Sequence, residues 1–341
     1  MTPRPAQAPA ALRATCTPCD WLLHGPAQVR DGPERGAILG TVGEHAYAYP
    51  EIAGYYLQWL AWRDAIGGDR ATARARALAV HHWLEGWISR PRLLTRVHLP
   101  GPVEDWRNDA VFAFDLAMVL RGLGSAQSRG LVAADPRLVS DLCERLRTLV
   151  ADDGELLACR PEPRCGARWS TRRGPFLAKA AAGILSAARS LDVPPELRDA
   201  AQRTHAASLA TLERAPHAEP HPALYALEGA LAAGPTEKSC VVANALRGVA
   251  ALVAAGPADP AWRSDVCAQY VRVRRLIHDG RDARIDAAIR DLDSCIDENG
   301  AVAFSRLGDR QPNVWCTMFA EQALAVHASP ALAGTLRRYL V

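Results

Sequence analysis

The chain of 341 residues is 49% hydrophobic, 23% charged and only 6% aromatic, with a formal net charge of +3. Its length is enough to bury a large core, and its charge carries no polycationic footprint for nucleic acid. No run approaches the roughly 18 apolar residues that a membrane span needs. Of the 40 basic residues only Lys179 and Lys238 are lysines, a compositional bias that weakens any reading of abundant arginine as an anion site.

Residues 1–44 read as an N-terminal arm and irregular loop. The first 20 are rich in Pro and Ala, without the continuous apolar stretch of a signal peptide. Asp20–Gly25 predicts a short helix, and residues 28–49 are irregular, ending in His45, Tyr47 and Tyr49. Pro50 then opens a helix over 51–66, closed by Gly67-Gly68-Asp69, and an Ala/Leu/Arg-rich helix follows over 71–87. A loop over 88–108 carries Trp106 and leads to a helix over 109–124. Asp135-Pro136 starts a helix over 136–150, which Asp152-Asp153-Gly154 breaks. After a loop rich in Arg, Pro and Trp, Pro175 starts the next helix. Further helices are predicted over 196–214, 221–233, 236–255, 261–278, 282–297, 313–327 and 330–340, with a turn at Asp279-Gly280 and a short hairpin over 300–306.

The helix–loop–helix unit recurs around residues 83–123, 142–185, 201–233 and 285–327. About a dozen helices in alternating pairs, with no strand run, predict six helical hairpins. They can stack as an open solenoid or close as an all-α (α/α)6 toroid with a central pocket, in a single domain over 45–341. In the closed form the helices at 51, 109, 175, 221 and 313 form the inner ring, because each follows a long loop with polar and aromatic residues. A ring of helix N-termini, with partial positive charge and free N–H groups, makes a pocket for an anion or a polyol.

The run Tyr49-Pro50-Glu51-Ile52-Ala53-Gly54-Tyr55, with Trp83-Leu84, Val111-Phe112-Ala113-Phe114-Asp115, the Asp153-Gly154 turn and the stretch from His221 to Gly229, resembles bacterial α/α-toroid proteins of carbohydrate metabolism. These include six-hairpin glycosidase-like proteins and the toroidal domain of glucuronyl C5-epimerases. The resemblance covers roughly residues 45–330. It implies the toroid fold and a small-molecule or oligosaccharide substrate, uronic-acid-containing glycans among them. The same toroid serves terpenoid cyclases and prenyltransferase subunits, but Asp291-Leu292-Asp293-Ser294 departs from the DxDD acid motif of the protonating cyclases. The paired Cys-His zinc pattern of lanthionine cyclases is not evident.

Sugar chemistry needs a general acid and a general base, as paired carboxylates or as a Tyr/His/carboxylate set. Glu51 sits in the first turn of its helix between Tyr49 and Tyr55, where a carboxylate also serves the helix dipole. Asp115 lies in an apolar helix, which is costly unless the carboxylate is paired or faces a cavity. His221, Tyr225 and Glu228 share one helix face at i, i+4 and i+7; the plainer reading makes them a cap, a core residue and an Arg partner. These five are the catalytic candidates. Arg168 and Arg172, with Trp169 between them, can grip a carboxylate and stack a sugar ring, as can Trp106. Lys179 is a candidate for an anion. Asn313 reads as an N-cap and Trp315 as core or pocket floor, and both decorate the last inner helix. With Tyr49 and Tyr55 these make up the substrate-binding set.

No Gly-rich phosphate loop, HExxH or GxSxG motif is present, so neither cofactor nor metal is expected. Nine scattered cysteines, with Cys16-x-x-Cys19 the one tight pair, suit a reducing cytoplasm. The reading that results is a carbohydrate-active toroid working by acid/base chemistry as hydrolase, lyase or epimerase. Two other classes stay open: a non-catalytic glycan- or peptide-binding accessory protein, and a terpenoid-cyclase-like enzyme.

Overall fold

A computed structural model describes residues 16–101, 103–161, 168–214, 219–233, 245–250, 262–278 and 282–341. The helix starts follow local chemistry. In α1 (Pro18–His24) Thr17 and Asp20 form a reciprocal capping box. The helix α2 (Pro50–Ala65) begins on proline, and α3 (Arg70–Ile88) begins on Asp69, whose carboxylate accepts from the N–H of Ala71 and of Thr72. Asp135 caps α5 (Pro136–Arg147) in the same way. The others are α4 (Ala113–Ser128), α6 (Leu177–Ala187), α7 (Pro195–Arg214), α8 (Pro220–Ala233), α9 (Ser264–Ile277), α10 (Ala283–Asp293), α11 (Val314–Ala328) and α12 (Ala333–Arg338). Residues 245–250 are also helical. The rest of the helix expected over 236–255, the turn at 279–280 and the first 15 residues lie outside the described residues.

Packing order closes the ring. The contacts run α2 to α4, α4 to α6, α6 to α8, α8 to α9, α9 to α11, and α11 back to α2. This is the closed (α/α)6 toroid, with α3, α5, α7 and α10 on the outside. The inner helices are buried on nearly every side, whereas α5 buries only Leu138, Val139, Leu142, Cys143 and Leu146. An all-round apolar helix belongs inside and an amphipathic one outside. Glycine permits the closest approaches: a Cβ on Gly122 of α4 would stand 2.2 Å from the Gly54 carbonyl oxygen of α2, and one on Gly54 would stand 2.3 Å from that of Met118.

Two expectations change. The helix expected from residue 109 starts at Ala113, because Trp106–Asp109 form a 3-10 turn and Val111–Phe112 pair as a strand with Cys159–Arg160. The inner ring also has a sixth member, α9, which is not among the five helices expected there. Its polar groups are buried against other inner helices. The N-terminal arm is in part packed helix: α1 lies against α3 and α11, with Leu22 1% exposed.

All six inner helices start at one end of the ring. There the loops are stitched by short antiparallel pairs, Tyr47–Ala48 with Val97–His98, Val111–Phe112 with Cys159–Arg160, and single bridges at Thr41–Asn313 and Arg263–Ser305. These pairs hold side chains over the mouth. At the other end the backbone of residues 339–341 is gripped from inside the ring, by Gln322 at Tyr339, Gln58 at Leu340 and Lys179 at Val341.

Candidate active site

The mouth opens into a cavity of about 910 Å³. Of the sequence candidates, Tyr49, Glu51, Trp106, Asp115, Arg168, Trp169, His221, Tyr225, Asn313 and Trp315 line it. Four others do not. Tyr55 is buried with its ring edge on Phe319. Arg172 is exposed. Glu228 and Lys179 lie fully buried beneath the floor, 2.7 Å apart. Glu228 was expected at the wall because i, i+7 spacing fixes a helix face and not its depth; two turns below the mouth, that face points into the closed ring, and Lys179, expected to meet an anion, meets Glu228 there instead.

One wall comes from the starts of α2 and α4. Tyr49 donates its hydroxyl to Glu51, and the Glu51 and Asp115 carboxyls act on each other's ionisation. Burial, then the Glu51 charge, pushes Asp115 well above its ordinary range, and burial raises Glu51 as well. Two buried carboxyls that interact this way ionise in separate steps. Asp115 Oδ2 has no hydrogen-bond partner among the described residues. Above the pair, the Arg96 guanidinium lies over the rings of Tyr47 at 4.2 Å and Tyr49 at 4.9 Å. Beside them His98 Nε2 is 3.2 Å from Asp105, which also accepts from Arg107 at 3.1 Å.

The opposite wall comes from the starts of α8 and α9. The His221 and Tyr225 rings lie 4.3 Å apart, and Trp169 meets His221 edge-on at 5.5 Å. His221 Nδ1 is 2.9 Å from Gln269 Oε1, and Nε2 is 3.4 Å from an Arg263 terminal nitrogen. Burial, then the Arg263 charge, drives His221 down to about 3, so its imidazole is neutral near pH 7. Asp265 holds Arg263 with both oxygens and also accepts from Trp315 Nε1 at 3.0 Å. Burial alone would raise Asp265; the Arg263 charge and these hydrogen bonds outweigh it and hold it ionised.

Aromatic rings join the walls. Phe114 lies 5.0 Å from Tyr225 and 5.8 Å from Phe176, and Trp169 lies 5.1 Å from Phe176. Trp106 is flanked by guanidinium groups, Arg107 at 4.6 Å and Arg168 at 5.0 Å. Its ring is therefore engaged by cations. Asn313 caps α11 through the Cys316 N–H. Cys16 and Cys19 are unbridged. Among the described residues no group of three His, Cys, Asp or Glu side chains is placed to hold a metal ion, and no helix is long and apolar enough to cross a membrane.

Arg96, Arg263, Asp265 and Gln269 escaped the sequence reading. For Arg263 and Asp265 a signal existed: they stand at a helix start, as other mouth residues do. Nothing local marks Arg96.

Fold and site together define an α/α toroid with a polar and aromatic cavity at the N-terminal ends of its inner helices. Solved structures share that fold. A sugar epimerase from a ruminal bacterium matches with a TM-score of 0.61 at 10% identity, covering 92% of this chain and 97% of that one. An unsaturated glucuronyl hydrolase specific for heparin matches with a TM-score of 0.57 at 14% identity, over 86% and 91%. A type II terpene cyclase from Scytonema matches with a TM-score of 0.55 at 12% identity, over 94% and 96%. At such identities the likeness is one of fold. No protein-family model and no curated protein matches the chain.

Proposed function

We propose that this toroid is an enzyme acting on an acidic sugar by general acid/base catalysis, and that the reaction is epimerisation beside the sugar's carboxylate. One observation carries the reading: a buried carboxyl pair, Glu51 and Asp115, and the His221 imidazole stand on opposite sides of one cavity, with burial raising the carboxyls and keeping the imidazole neutral. In the ring order α8 lies across from α2. His221 Nε2 removes a proton from the carbon, and the Glu51–Asp115 pair returns one to the other face. The group that favours an acidic sugar is Arg263. A uronate carboxylate on that guanidinium sets the adjacent C–H beside His221, and it neutralises the charge that disfavours an imidazolium. The sugar epimerase and the glucuronyl hydrolase among the structural neighbours support a sugar substrate. We place the activity in the cytoplasm, on the unbridged Cys16 and Cys19.

The decisive assay is proton NMR of uronic acids and their oligosaccharides in D2O with the purified protein. Deuterium uptake at the carbon bearing the carboxylate, lost in Asp115→Asn and in His221→Gln, is the expected result. Unchanged turnover in both folded variants would overturn the assignment, and new reducing ends without exchange would replace epimerisation by hydrolysis.

A second reading rests on the aromatic rings. A protonated Asp115 near Phe114, Tyr225 and Trp169 could protonate an alkene, with the rings stabilising the cation. The four arginines and three histidines of the lining weigh against it. Thermal stabilisation by prenyl diphosphates and not by sugars would select it.

A further inference from the structure

The base assigned above depends on which imidazole nitrogen carries the proton, and the buried layer beneath the cavity answers that. Glu228 Oε1 accepts from Arg272 at 2.6 Å, and its Oε2 accepts from Lys179 Nζ at 2.7 Å. All three side chains are fully buried; burial draws Lys179 down to about 7, and its amine donates in either protonation state. A carboxylate paired with the Arg272 guanidinium only accepts, so its third partner, Gln269 at 3.1 Å, must offer it the amide NH2. The Gln269 oxygen then faces His221 Nδ1 at 2.9 Å. An amide oxygen only accepts, so Nδ1 must carry the hydrogen. The ring orientation is set as well, because Nε2 meets Arg263 at the same time.

We infer that Gln269 is a positioning residue that holds His221 as its Nδ1–H tautomer, and that Glu228, in its ion pairs, sets the Gln269 amide. This rests on the proposed role of His221 as base and adds its direction. Nε2 carries the lone pair and turns it to the Arg263 N–H on the cavity wall, so neutral His221 takes a proton there once a substrate carboxylate draws that guanidinium away, and has none to donate. The order of events runs from charge to tautomer across three inner helices, α6, α8 and α9. It also gives the buried Glu228 and Lys179 a function that requires no contact with substrate: they are the fixed end of a chain whose free end is the base.

The test is the imidazole nitrogen spectrum of protein labelled with 15N-histidine at pH 7, with His221→Gln identifying the signal. The wild type is expected to show a protonated Nδ1 and an unprotonated Nε2. Gln269→Glu should keep that pattern, since a protonated Glu can donate to Glu228 and accept from Nδ1. Gln269→Met should shift the population towards the Nε2–H form and lower kcat by on the order of 10²-fold with KM little changed. An Nε2–H signal in the wild type, or an unaltered tautomer in folded Gln269→Met, would overturn the inference. These readouts do not depend on turnover. If His221→Gln kept full activity, the base assignment would fall while the tautomer result stood.

Discussion

Glu51 and Asp115 come from neighbouring inner helices and meet at the cavity wall, where burial and each other's presence raise both carboxyls. Because Asp115 is raised well above its ordinary 3.8, its effect on stability has a definite sign. Below that ordinary value the folded and unfolded chains both carry the proton, and nothing is lost. As pH rises past it, the unfolded chain ionises first and the folded state loses stability until the pair itself titrates. Asp115→Asn is therefore expected to gain in melting temperature relative to wild type as pH rises above about 4, while losing turnover. A gap that stays constant with pH would contradict the raised carboxyl.

His221 gives the opposite slope. Its folded value, about 3, lies below the ordinary 6.5, so the unfolded chain takes up a proton first as pH falls through 6.5. Wild type should then lose up to about 1.4 kcal/mol per pH unit relative to His221→Gln. Chemical denaturation of both proteins at several pH values measures the difference; parallel curves would argue that the imidazole is solvated and charged.

Glu228→Ala is expected to cost roughly 3–5 kcal/mol, because it strands Arg272 as an unpaired buried cation, while Lys179, which burial already draws down to about 7, gives up its proton. Arg172→Ala, at an exposed position, should change stability little. Urea unfolding of the two variants separates the buried pair from the surface arginine that the sequence had placed beside the substrate.

Arg263→Gln should weaken binding of uronates by about tenfold to a hundredfold, the value of a charged hydrogen bond of roughly 1.5–3 kcal/mol, and leave neutral sugars unaffected. Calorimetry with a uronic acid and its neutral counterpart reads the difference. Equal losses for both ligands would show that Arg263 shapes the cavity and does not recognise charge.

At Gly122 the α2 backbone leaves no room for a Cβ. Gly122→Ala is expected to destabilise the toroid by at least about 1–3 kcal/mol, the range for overpacking, since backbone cannot yield as a flexible side chain does. An unchanged unfolding midpoint would mean the two inner helices can separate freely.

Read along the chain alone, the helices, their alternation and the inner place of five of them were already visible, and so was the mouth position of Glu51, Asp115, His221 and Tyr225. These follow from local rules: caps, proline starts, glycine stops and the difference between all-round apolar and one-sided helices. Depth and partnership were decided only by closure of the ring. The 3.6-residue period puts His221 and Glu228 on one face, yet it took the ring to set one at the cavity wall and the other between buried Lys179 and Arg272. The α9 residues escaped notice because their partners lie on other helices, and a sequence does not show a partner forty residues away. The raised carboxyls of Glu51 and Asp115 are legible in neither residue locally; they arise because burial and proximity act on both at once.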